Sequence, residues 1–393
     1  MLIKEVKAKI VKDSRGQKTI AVSVNGCAEA SSPNGKSTGK YETPSYYKSL
    51  KFCVNFLNDW NDEIEIEKFE DLIYVEKAIC KKLKLKNARD FGANSLYAFE
   101  SAILKALAKE KKKELFEIVN SGNYEMPFPV GNVVGGGMHS SAIDKHPNFQ
   151  EFLVIPKSPK FSENLNIMNY VYSHVKDNLS SHGVNDEGAW LVSSTDNEVL
   201  HALSKIISNT RDRSQYPIVL GVDAACSTLF NKGKYNYTNK KLNQLEQIDF
   251  IEEITINYGV GYIEDPLEQH DFKGFAKLNK FFNNKCLIVG DDLTATQYGR
   301  GVGAIRTKSI NAMIIKPNQN GSLLELKRIF DLCRKHGIKT VMSHRSGETL
   351  DSGLADYAVG FGADYIKCGV ATKWREAKLK RLLEIERKIY SFT

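Results

Sequence analysis

The chain has 393 residues, enough for two domains, with 42% hydrophobic residues and a net charge of +8. No apolar run approaches the ~20 residues that cross a bilayer, and the start, Met1-Leu2-Ile3-Lys4-Glu5-Val6-Lys7, alternates charged and apolar residues with no signal-peptide core. The lysines are spread along the chain, which favours a solvated surface over a nucleic-acid face, and the seven cysteines are odd in number and scattered, which predicts reduced thiols and a cytoplasmic protein.

Residues 2–12 and 18–24 alternate in the strand manner around a turn at Asp13-Ser14-Arg15-Gly16, which predicts a hairpin. A third strand is expected at 27–30, then a breaker-rich loop at 31–39. Within it, Gly35-Lys36-Ser37-Thr38 matches the end of a phosphate-binding P-loop. That motif needs a glycine five residues before its Gly-Lys, and Ala30 stands there, which disfavours nucleotide hydrolysis. Helices are expected at 45–58, 66–85 and 92–112, the last with one apolar stripe of Leu96, Phe99, Ile103, Ala106 and Leu107. Together these form an α+β domain assigned to residues 1–125, with a boundary near Ser121-Gly122-Asn123. Gly135-Gly136-Gly137-Met138-His139 reads as a hinge or a close backbone approach, and 138–148 as a polar loop. A barrel domain is assigned to 126–393, its strands expected from Phe149 onward, with a charged amphipathic last helix at 373–391.

Short apolar runs recur through this second half, each ending in a polar residue: Asp223, Glu264, Asp291, Lys316, His344 with Arg345, and Lys367. After the first, the gaps suit one helix, one strand and two short loops, the period of βα units. Strands buried on both faces read as continuous apolar runs, as these do. Segments 151–156 and 183–188 supply two more strand-like tips, for a count of eight. Charged strand tips are where a (β/α)8 barrel keeps its active site; a doubly wound sheet with acids capping the following helices is the alternative.

Seven ordered motifs then carry a resemblance: Gly35-Lys36-Ser37-Thr38-Gly39-Lys40-Tyr41-Glu42, Phe91-Gly92-Ala93-Asn94, Gln150-Glu151-Phe152, Asn185-Asp186-Glu187-Gly188, Tyr262-Ile263-Glu264-Asp265-Pro266-Leu267, Gly290-Asp291-Asp292-Leu293-Thr294 and Ser343-His344-Arg345-Ser346-Gly347-Glu348-Thr349. Over nearly its whole length the chain resembles the enolase (phosphopyruvate hydratase) family, as a somewhat short and divergent member. The resemblance implies a small α+β domain followed by a barrel of order ββαα(βα)6, which replaces the simple count of eight parallel strands. It also implies dehydration of 2-phosphoglycerate to phosphoenolpyruvate in a homodimer. Its departures include Gly188-Ala189-Trp190-Leu191-Val192 behind the acid motif and Lys373-Trp374-Arg375-Glu376 near the end.

As chemistry, Asp223, Glu264 and Asp291 arrive from neighbouring strand tips as oxygen-only ligands, which suits Mg²⁺. Paired acids for glycoside cleavage are the other use of such a cluster, and Lys316 and Lys367 speak against it. The resemblance assigns Lys316 as the base, its pKa expected to be lowered by Lys367 and the cations. Glu187 is the acid that helps hydroxide leave, supported by Glu151. Lys367 contacts the substrate carboxylate, Glu264 and Asp291 also count among the substrate-binding residues, Arg345 and Ser346 contact its phosphate, and His344 the substrate or the loop. Ser37 is a ligand of a second Mg²⁺, and His139 a loop residue over the substrate. A related proton-abstracting enzyme on another phosphorylated or 2-hydroxy acid, and a non-catalytic binding protein on the same scaffold, remain alternatives.

Overall fold

A computed structural model describes residues 1–36, 39–122, 124–140 and 143–390. The chain opens with an antiparallel sheet of β1 (Val6–Lys12), β2 (Lys18–Val24) and β3 (Ala30–Ser31). The third strand thus starts where the expected one ends. Four helices follow: α1 (Leu50–Asn58), α2 (Leu72–Leu83), α3 (Ala93–Lys111) and α4 (Leu115–Val119). α1 starts later than its apolar pattern predicts because the Ser49 hydroxyl accepts the Phe52 N–H at 3.1 Å and caps the helix there. α2 is shorter than expected because a separate 3₁₀ turn, Phe69–Asp71, precedes it.

The expectation of one apolar stripe on α3 is too narrow. Fifteen of its 19 residues are buried, Asn94 and Glu100 among them. A helix buried all round has neighbours on every side, and α3 lies between the first sheet and the second half of the chain. The Leu323 N–H donates to Glu100 at 2.7 Å, and the Asn318 side-chain amide donates to Asn94 at 2.9 Å.

The second half begins with β4 (Phe128–Gly135) and β5 (Glu151–Pro156), then α5 (Phe161–Asn178), β6 (Ser181–Val184), β7 (Trp190–Val192) and α6 (Asp196–Ser214). After β8 (Ile218–Asp223) comes a small surface sheet of β9 (Phe230–Asn231), β10 (Lys234–Asn236) and β11 (Lys241–Leu242). Regular alternation follows: α7 (Gln244–Tyr258), β12 (Val260–Glu264), α8 (Phe272–Phe282), β13 (Leu287–Gly290), α9 (Tyr298–Arg306) and β14 (Ala312–Ile315). The chain ends with α10 (Pro317–Asn320), α11 (Leu323–Lys335), β15 (Lys339–Ser343), α12 (Gly353–Gly360), β16 (Tyr365–Lys367) and α13 (Lys373–Tyr390).

β16, β15, β14, β13, β12, β8, β5 and β4 hydrogen-bond in that order, and β4 closes the ring on β16. The order is ββαα(βα)6, with β5 antiparallel to both its neighbours. Two expectations are corrected. The barrel starts at Phe128 rather than Phe149, and segment 183–188 is no barrel strand. It belongs to the β6–β7 hairpin, which β7 attaches to the end of β4. Val130, Leu153, Tyr262, Val289, Ile314 and Val341 pack the barrel interior, and a larger apolar cluster fills the space between strands and helices.

Candidate active site

Register and strand direction bring the tip residues together. Asp223 pairs with Glu264 across the parallel β8–β12 ladder, and with Glu151 across the antiparallel β5–β8 ladder. Glu151 begins its strand rather than ending it. Because β5 runs backwards, its first residue shares the rim with the last residues of the others. Lys367 lies beside Ser343 in the β15–β16 ladder, and Lys316 follows β14 directly.

Lys367 is the hub. Its ammonium lies 2.9 Å from Glu151 Oε2, 3.1 Å from Asp223 Oδ2 and 2.9 Å from both Glu264 oxygens. The Tyr262 hydroxyl donates to Glu264 Oε2 at 2.9 Å. Burial disfavours the charged form of Lys367, but the three carboxylates outweigh it and hold its pKa well above the usual value. Lys316 is paired with Asp291 Oδ2. Burial lowers its pKa and Asp291 raises it, and Asp291 wins. Lys367 lowers it as expected, but Asp291 outweighs burial and Lys367 together, so the net shift is upward rather than the expected downward one.

Across the pocket, His139, Glu151 and Glu187 place one ligand atom each within 4.8 Å of one another. Burial, followed by the repulsion of Glu187 and Asp223, raises Glu151 to about 7 against the pull of Lys367. Burial acts in the same direction on Glu187, but His139, His344, Arg375 and Lys367 bring it below the usual carboxylate range. Of the two, Glu151 is the one that holds a proton more readily near neutral pH. His344 Nε2 lies 3.8 Å from Glu187, and burial pushes this imidazole well toward the neutral form.

Arg345 is gripped from two sides, by Glu42 Oε2 at 2.9 Å and by Asn318 Oδ1 at 3.4 Å. The Ser346 hydroxyl accepts from Arg15 Nη1 at 2.7 Å. His139 sits in the 3₁₀ turn Gly137–Ser140, 3.7 Å from Glu151. The neck of this loop is closed by Gly136 N–H to Gln150 O at 2.9 Å and Gly137 N–H to Pro147 O at 2.8 Å. An added Cβ at Gly136 would stand 2.2 Å from the Phe149 carbonyl, so the triple glycine reflects close backbone approach. All the expected site residues among those described converge on this rim. Ser37 lies outside the described residues.

Some of the site was not legible. Glu42 stood in a recognised motif without a role. Arg375, on the last helix, is fully buried and donates to the carbonyls of Arg345 at 3.1 Å and Ser346 at 2.9 Å, and to His344 Nδ1 at 3.3 Å. A charged residue on the apolar face of α13 was its only sequence signal.

The donor set suits hard cations. Asp265, Asp291 and Asp292 bring ligand oxygens within 4.8 Å of one another, a group that shares only Asp291 with the expected trio, whose Asp223 and Glu264 are tied to Lys367. Asp291 Oδ1 is buried without a hydrogen-bond partner, a cost that a cation would remove. Neither sulfur nor imidazole joins this group, which favours an oxygen-seeking metal.

Two family profiles match the chain: "Enolase, N-terminal domain" over residues 3–119 and "Enolase, C-terminal TIM barrel domain" over 123–392. Proteins named enolase from Thermoplasma acidophilum and Archaeoglobus fulgidus are each 34% identical to it, over 98% of this chain and 98% and 97% of their own. The enolase of Picrophilus torridus is 32% identical over 98% of this chain and 99% of its own length. With both profiles matched and full-length relatives above 30% identity, the chain belongs to the enolase family.

Proposed function

We propose that this protein dehydrates 2-phosphoglycerate to phosphoenolpyruvate with Mg²⁺, two ions per site, and that the rim residues divide the work. The observation that carries the reading is that one pocket is lined by a lysine, Lys316, by two buried carboxylates, Glu151 and Glu187, and by Arg345. Lys316 Nζ, as the neutral amine, takes the proton on the carbon next to the substrate carboxylate and becomes the ammonium that Asp291 pairs with. The Glu187–Glu151 pair delivers its proton to the departing hydroxyl, so one water leaves and a carbon–carbon double bond forms. Lys367 faces the substrate carboxylate, on which negative charge builds. Arg345 and Ser346 receive the phosphate, and His139 and His344 flank the acid pair. Asp223, Glu264 and Asp291 would hold the metal, with Ser37 a ligand of the second ion. Held there, Mg²⁺ would supply positive charge where negative charge builds on the substrate carboxylate.

The test is the ultraviolet absorbance rise of the enol product from 2-phosphoglycerate, with Mg²⁺ and again with excess chelator. A metal-dependent rise is expected. No rise from folded protein supplied with Mg²⁺ would sink the assignment. The same reading includes a division of the chain at 125/126, supported by the profile boundaries and by the first barrel strand at Phe128. It also includes a homodimer and a cytoplasmic location; among the described residues no helix is long and apolar enough to cross a membrane.

A further inference from the structure

The cations lining the pocket differ in whether a carboxylate already holds them. Lys367 has three carboxylates, Lys316 has Asp291, and Arg345 has Glu42. His139 and His344 stand 3.7 and 3.8 Å from Glu151 and Glu187. Lys36 is different. It lines the same pocket from the loop after β3, and its ammonium donates to the Met138 carbonyl at 3.1 Å. Among the described residues no carboxylate is paired with it.

A neutral carbonyl is a weak acceptor for an exposed ammonium. A phosphate monoester carries close to two negative charges at pH 7, and bonds between ionised partners are roughly twice as strong as neutral ones. The pocket is small, about 110 Å³, so a compact substrate held by Arg345 lies close to everything at its mouth. Lysine suits such a contact as a flexible point charge with three donors. We propose that Lys36 is a phosphate contact that exchanges the Met138 carbonyl for the substrate's phosphate, and so helps select phosphorylated over unphosphorylated acids. The Gly35-Lys36 pair thus serves phosphate without a P-loop, through where the tertiary fold carries it. This rests on the reaction assigned above.

The experiment compares Lys36→Met, which keeps the stem and removes the charge, with Lys36→Arg and with Lys86→Met, an exposed lysine elsewhere. Lys36→Met is expected to raise KM for 2-phosphoglycerate roughly three- to tenfold, with a smaller change in kcat, and to weaken competitive inhibition by inorganic phosphate by a similar factor. Lys36→Arg should recover most of the loss, and Lys86→Met should match the parent. Unchanged KM and phosphate inhibition in Lys36→Met would overturn the proposal. So would a fall in kcat at constant KM, which would make Lys36 only a tie between two loops. Thermal stabilisation by inorganic phosphate reads the contact without turnover. A parent protein inactive on 2-phosphoglycerate, with phosphate stabilisation weakened in Lys36→Met, would overturn the assigned reaction and leave the contact standing.

Discussion

Lys316 carries the heaviest demand at the rim. It is half-buried at the end of an apolar strand and paired with Asp291, a placement that is costly without a use. Lys316→Ala is expected to lower kcat by at least roughly 10²–10⁴-fold, the usual contribution of a positioned base, with the circular dichroism spectrum unchanged. Undiminished turnover would remove it from the mechanism. Glu42 acts at one remove, through Arg345. Its Oε1 also accepts the Gly39 N–H at 2.9 Å, so one carboxylate ties the loop after β3 to Arg345. Glu42→Gln is expected to lower kcat/KM about tenfold, chiefly through KM, because an amide keeps the shape and loses the charge. Steady-state kinetics would show it; an unchanged KM would mean that Asn318 alone suffices to hold the guanidinium.

At the scale of elements, the N-terminal sheet and α3 are pinned to the barrel by a partly buried ion pair. Asp351, after β15, lies 2.8 Å from Lys105 of α3, and accepts the N–H groups of Ser31 at 2.8 Å and Gly353 at 2.7 Å. Burial raises its pKa, but Lys105 and the donors outweigh this and hold the carboxyl below its usual value. A depressed folded-state pKa gives stability that is complete above the unfolded value, about 3.9, and is lost as pH falls through the folded one. Asp351→Asn is therefore expected to cost about 2 kcal/mol at pH 7, where Lys105 keeps only the Glu29 carbonyl, and less as the pH drops below about 4. Denaturant titrations at both pH values would check it. Gly92 precedes α3 with φ of +105°, and an added Cβ would stand 2.4 Å from the Tyr46 Cα. Gly92→Ala should lower stability by at least about 2 kcal/mol through strain and clash together.

At the scale of the whole molecule, buried acids crowd one rim of a barrel whose remaining strands and helices close without them. Chelation should leave the secondary structure intact and abolish turnover. Mg²⁺ at a hundredfold excess over its Kd should add about 2.7 kcal/mol of stability by mass action. A thermal melt with and without Mg²⁺ measures this, and Asp223→Asn should remove most of the gain. No gain in the parent would count against the metal assignment.

The amino-acid order by itself determined the repeat of apolar runs and charged tips from Asp223 to Lys367, because strands buried on both faces must be continuously apolar and their ends need not be. It determined the hairpin, through alternation around Asp13-Ser14-Arg15-Gly16. Strand direction was beyond it: an apolar run reads the same parallel or antiparallel, so β5 and the placing of Glu151 at its start were decided only when the barrel closed. Periodicity likewise took α3 for a one-sided helix, because Asn94 and Glu100 count as polar until the barrel supplies their partners. Only the tertiary structure decided that Lys316 pairs with Asp291, that Arg375 braces the Arg345–Ser346 loop from the last helix, and that Lys36 reaches the pocket. Each depends on which side chains meet across long sequence distances, and local patterns carry no record of such meetings.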